Sequence, residues 1–121
     1  LDGQPPRIVA VDQTAGADAL RAAVARVATD LAGRYASVGV VATEPLRSSL
    51  GDLPATVLDP PDAKGLEFDA VVVVEPAAIA GDTARGLRML YVALTRAVQE
   101  LVVVHAQPLP GGRWAPSRPA A

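Results

Sequence analysis

Residues 71–74 are four consecutive valines, preceded by Ala70 and followed by Glu75. A strand with one wet face alternates apolar and polar residues; a run without alternation has to be covered on both faces, as in a parallel sheet packed between helices. The run therefore predicts a central strand over Asp69–Glu75. It limits the chain to an α/β layer structure, a mostly parallel sheet with helices on both faces. Shorter apolar runs at Arg7–Val11, Ser37–Ala42, Ala55–Asp59 and Leu101–His105 supply the remaining strands.

Helices are expected between them. From Ala17 to Tyr35 the residues Leu20, Val24, Val27, Leu31 and Tyr35 recur at helical spacing and form one apolar stripe, with Gly33 weakening the last turn. Glu44–Leu50 reads as a short helix stopped by Gly51. A third helix, capped by Asp82, runs to about Val98. Half the residues are apolar but only 3% are aromatic, so the core is aliphatic. At 121 residues this is one domain, read as residues 1–106, with a Pro/Gly-rich tail over 107–121. Trp114 lies in that tail and could dock on the domain or on a neighbour.

Several function classes fall away. There is no cysteine, hence no disulfide or thiolate site, and His105 alone cannot build a metal centre, so its role is read as structural. No apolar stretch approaches the roughly 20 residues needed to cross a bilayer, and no signal-peptide pattern opens the chain. A cytoplasmic setting without a membrane partner is expected. A net charge of −2 gives no strong field toward nucleic acid. Leu1 in place of an initiator Met suggests a domain excised from a longer protein.

Two segments carry chemistry. Ala63–Asp69 reads Ala-Lys-Gly-Leu-Glu-Phe-Asp and contains Lys64, the one lysine among eleven basic residues. Gly65 marks a turn needing positive φ or close backbone approach to a ligand. Because the segment follows the Ala55–Asp59 strand, it is expected at that strand's carboxyl edge, where open α/β sheets bind ligands. Phe68 is read as a core plug. About 25 residues downstream, Leu90–Ala97 reads Leu-Tyr-Val-Ala-Leu-Thr-Arg-Ala. On a helical wheel at about 100° per residue, Leu87, Leu90, Tyr91, Leu94 and Val98 form the stripe expected to pack on the sheet. Arg85, Arg88 and Arg96 fall within about 80° of one another on the other side, which is otherwise a solvated arginine face. Val71–Glu75 has the outline of a Walker B strand, but such an acid works beside a phosphate loop, and no Gly-x-x-x-x-Gly-Lys-Ser/Thr sequence is present.

The two segments, in this order and spacing, resemble motifs V and VI of the UvrD/Rep-type superfamily 1 helicases. That resemblance implies a RecA-like, P-loop-NTPase-type fold lacking its own P-loop, the C-terminal half of a two-domain motor. It implies that Arg96 is an arginine finger reaching the γ-phosphate of ATP and Mg2+ held by an N-terminal RecA-like domain of the same polypeptide. Gly65 and Glu67 would contact the nucleotide, or Glu67 the domain interface, although a glutamate beside a strand is ordinarily just solvated. Lys64, Tyr91 and Thr95 would contact nucleic acid or the neighbouring domain, with surface exposure or helix packing as the ordinary alternatives for Tyr91 and Thr95. Gly3-Gln4-Pro5-Pro6 is weakly similar to the family's Gly-x-x-Pro stretch. One departure stands out. Strand-gripping members carry Thr-x-His ahead of the first motif, and here those positions are Asp59, Pro60 and Pro61. A carboxylate repels phosphate, and proline donates no hydrogen bond. This looks like the HelD-like branch, whose members couple such a motor to RNA polymerase rather than to a duplex. The resemblance thus implies first an ATP-dependent DNA helicase or translocase acting on single-stranded DNA, with a HelD-like ATPase that remodels RNA polymerase as the alternative.

Overall fold

The computed structural model describes residues 5–110; Gly3, Gln4, and Trp114 with the tail from residue 111 lie outside the described residues. The element order is β1 (Arg7–Ala10), a 3₁₀ turn at Gln13–Ala15, α1 (Ala17–Ala32), β2 (Val38–Val41), α2 (Leu46–Ser49), β3 (Thr56–Leu58), a second 3₁₀ turn at Pro60–Ala63, β4 (Phe68–Val74), α3 (Pro76–Ala80), α4 (Ala84–Leu94) and β5 (Ala97–His105). The strands form one five-stranded sheet in the order β1-β5-β4-β2-β3. Every pairing is parallel.

The valine strand is central, as its sequence requires, and Val71–Val74 have no exposed surface. Its side chains alternate between two cores. Ala70, Val72 and Val74 face the α1 layer with Leu20, Val24, Leu31, Val102 and Val104. Val71 and Val73 face Ile79, Ala80, Leu90 and Ala93 of α3 and α4. The predicted α1 stripe is buried at Leu20, Val24, Val27 and Leu31. The helix stops at Ala32 rather than Tyr35, with Gly33 as its C-cap, the N–H still bonded to the Thr29 and Asp30 carbonyls. Tyr35 then places its hydroxyl 2.9 Å from Glu100 Oε1.

Glu100, buried on β5, faces the α1 layer and gathers partners from the end of α1 and from β1. Arg34 Nη1 donates to it at 2.9 Å and Arg7 lies 3.8 Å away. The Arg34 hydrogen bond holds the Glu100 carboxyl below its ordinary range, against burial, with smaller contributions from Tyr35 and Arg7. A lowered folded-state pKa stabilises the fold above the unfolded value and loses that contribution as pH falls through the folded one. Acid unfolding is thus expected to steepen below about pH 4.3, and Glu100→Gln should remove that part of the pH dependence in urea titrations. Retention of the full acid-sensitive slope in the Gln variant would show that other carboxylates carry it.

The end of β4 was not foreseen. Glu75 takes a left-handed conformation (φ 51°), and Pro76 opens α3, a helix absent from the sequence reading. The Glu75 carboxylate is buried and accepts from the N–H groups of Ala106 and Gln107 at 3.2 Å. It clamps the exit of β5. His105 is tied locally, its Nδ1 lying 2.8 Å from the Gln107 carbonyl.

Candidate functional site

Three local features bring the two motif segments together. β4 and β5 pair with Phe68 opposite Ala97, so the residues just before each strand meet. The Phe68 N–H donates to the Arg96 carbonyl at 3.1 Å. Asp69 is fixed from the other side, its N–H on Ser37 Oγ at 2.9 Å and its carboxylate accepting from the Ser37 N–H at 3.3 Å. The ring of Phe68 lies against Gly39, where an added Cβ would come within 2.7 Å of it. Phe68 is thus half-buried packing, close to the expected core plug.

This geometry corrects two expectations. The first motif does not sit at the carboxyl edge. Since β3 and β4 are both parallel to β2, the chain leaving β3 crosses to the opposite end of the sheet before β4 begins. Gly65, Leu66 and Glu67 therefore stand at the amino edge of β4, beside Thr95 and Arg96 at the amino edge of β5. The second correction concerns α4. It is capped by Thr83, whose hydroxyl accepts from the Gly86 N–H at 2.9 Å, not by Asp82. It ends at Leu94, and Ala97 and Val98 already belong to β5. Thr95 hydrogen-bonds the Val92 carbonyl through its hydroxyl and competes with helix propagation, while pairing with β4 extends the strand. Arg96 thus lies in a tight turn, not on a helical face with Arg85 and Arg88.

The stripe expected to pack on the sheet is also displaced. The buried α4 residues are Leu90 and Ala93, with Gly86 pressed on α3, whereas Leu87 and Tyr91 are 55% and 68% exposed. Together with Leu66 and Val98 they are the exposed large hydrophobic residues among those described. All four lie within or beside the two motif segments.

Arg96 is held only by neutral oxygens. Its Nε donates to the Val92 carbonyl at 3.2 Å, Nη1 to the Leu66 carbonyl at 3.4 Å and Nη2 to Thr95 Oγ1 at 3.3 Å. These lengths are at the long end for hydrogen bonds. No carboxylate among the described residues pairs with it. Of the described arginines, Arg7, Arg21, Arg34 and Arg47 form ion pairs, whereas Arg96, like Arg26, Arg85 and Arg88, does not. A guanidinium carries five N–H donors, so donors and an uncompensated charge remain for an anion. Gly65 adopts φ +84° with open space where a side chain would be, and it aims the Leu66 carbonyl. Lys64 and Glu67 are exposed; the Lys64 backbone N–H donates to the Pro61 carbonyl at 3.4 Å, but neither side chain forms a hydrogen bond or ion pair with another described residue. Leu66 and Val92 act through backbone carbonyls, which sequence reading missed; the positive-φ glycine before Leu66 was the one available sign.

No group of three or more His, Asp or Glu side chains suited to a metal ion occurs among the described residues. No helix there is long and apolar enough to cross a membrane.

Residues 54–104, which span both motif segments, match the family model of the UvrD-like helicase C-terminal domain. The fold is similar to the crystal structure of the C-terminal domain of a possible DNA helicase from Lactobacillus plantarum WCFS1, with a TM-score of 0.63 and 23% identity over 88% of this chain and 77% of that one. No curated protein matches the chain.

Proposed function

We propose that this domain is the C-terminal motor domain of a UvrD-like, ATP-dependent DNA helicase or translocase acting in the cytoplasm. In this reading it brings Arg96 to ATP bound on an N-terminal RecA-like domain of the same polypeptide. The observation that carries it is the state of Arg96, a guanidinium at the sheet's amino edge, weakly tethered by neutral oxygens and paired with no acid among the described residues. Phosphoryl transfer concentrates charge on the γ-phosphate oxygens, and an arginine supplied from a neighbouring domain stabilises that charge. Gly65 and Glu67 border the same edge and are assigned to nucleotide contact. The exposed Leu66, Leu87, Tyr91 and Val98 give the neighbouring domain an apolar surface to dock on. Lys64, Tyr91 and Thr95 belong to that interface or to the nucleic-acid path. Mg2+ is assigned to the ATP-holding domain, since the acid that ends the valine strand is occupied by backbone N–H groups.

Assayed alone, the 121-residue chain is expected to show no ATP hydrolysis, whereas the full-length protein should show turnover stimulated by single-stranded DNA. Turnover by the isolated chain would refute the half-motor reading.

One observation favours a second partner. Asp59 stands at the end of β3 with Arg47 Nε 4.0 Å from its carboxylate, followed by Pro60 and Pro61. This edge presents a carboxylate and two residues without N–H donors where a strand-gripping site needs donors. A HelD-like motor acting on RNA polymerase fits it. Recovery of polymerase with the full-length protein, without stimulation by single strands, would favour this second reading.

A further inference from the structure

We infer that Thr95 is a positioning residue for Arg96; the inference rests on the reading of Arg96 as the γ-phosphate ligand. Thr95 closes α4, and both its N–H (3.1 Å) and its hydroxyl (2.9 Å) point to the Val92 carbonyl. A hydroxyl has one hydrogen to donate. With that hydrogen committed to Val92, the oxygen can only accept from Arg96 Nη2, and its direction is fixed by the end of the helix. Val92 also accepts from Arg96 Nε, so one carbonyl orders both residues of the turn. The third support, the Leu66 carbonyl, comes from the other motif.

The chemistry of this cradle suits a finger better than a structural ion pair. A carboxylate would fix the guanidinium more firmly but would neutralise the charge that phosphate needs. Three neutral oxygens at 3.2–3.4 Å set the plane of the group and leave its charge whole. An arginine has several rotatable bonds, and a misplacement of about 1 Å can cost about a hundredfold in rate. Thr95 itself is exposed and fills no part of either core. Its hydroxyl is therefore better explained by what it orients than by what it packs against.

The test compares Thr95→Val, which keeps the branched shape and removes the oxygen, with Thr95→Ser, which keeps the oxygen. In this chain, ¹⁵N relaxation of the Arg96 Nε–H group is expected to report an ordered side chain in the wild type and in Thr95→Ser, and a mobile one in Thr95→Val. In the full-length protein, Thr95→Val is expected to lower kcat about ten- to a hundredfold with KM for ATP nearly unchanged, and Thr95→Ser to retain most of the turnover. Equal Arg96 mobility in the wild type and the Val variant overturns the inference, as does undiminished kcat in Thr95→Val. If Arg96→Ala abolishes turnover while Thr95→Val does not, the positioning role alone is lost. If Arg96→Ala is itself harmless, the finger reading and this inference fall together.

Discussion

Arg96→Ala in the full-length protein is expected to reduce ATP turnover by about 10³–10⁵-fold, the range for loss of an arginine finger. The loss should appear in kcat, because the interaction strengthens as charge develops on the transferred phosphoryl group. Arg96→Lys should recover little. An ammonium is a point charge without the planar fork that spans two phosphate oxygens, and it cannot satisfy the Val92, Leu66 and Thr95 acceptors together. The fold should tolerate the change. Three long hydrogen bonds from a partly exposed side chain, each at the weak end of the range, contribute about 1.5 kcal/mol in all, so a truncated variant that still folds yet fails to turn over would localise the effect to chemistry. Unchanged turnover would remove Arg96 from the mechanism.

Gly86→Ala is expected to destabilise the domain by about 3 kcal/mol, the opposite of what helix preference predicts. Alanine in a helix interior is favoured over glycine by about 1 kcal/mol. At this position, however, an added Cβ would lie 2.0 Å from the Ala80 carbonyl oxygen and 2.7 Å from its carbon. Both atoms are backbone and cannot rotate away. α3 and α4 would have to separate, opening the core around Ile79, Ala80, Leu90 and Ala93. The far end of α4 carries Thr95 and Arg96, so activity should fall along with stability. Urea titration should show a lower midpoint with an unchanged slope; a midpoint above that of the wild type would mean that the two helices do not touch as described.

The architecture was legible where one physical demand dominates. The unalternated Val71–Val74 run needs cover on both sides and is found at the centre of the sheet with a helical layer on each face. The α1 stripe was equally plain, since Leu20, Val24, Val27 and Leu31 are large and periodic. α4 misled for the converse reason. Its buried contacts run partly through Gly86 and Ala93, whose small side chains give almost no periodic signal, while the conspicuous Leu87–Tyr91 strip is exposed. Its end was obscured because Ala97 and Val98 suit a helix or a strand, and pairing with Phe68 decides between them. The edge occupied by the first motif depends on β3, β2 and β4 being parallel neighbours, a long-range fact no local pattern encodes. Residue types at the candidate site were readable; the carbonyls that cradle Arg96 were not, because any residue can provide one.

A structure of the full-length protein bound to Mg2+, ADP and a γ-phosphate mimic such as aluminium fluoride would test the central claim most directly. The expected result is Arg96 released from the Leu66 carbonyl and Thr95 hydroxyl, with its guanidinium nitrogens about 2.7–2.9 Å from the mimic. A closed nucleotide cleft in which Arg96 remains on its own domain, with another residue at the mimic, would contradict the account.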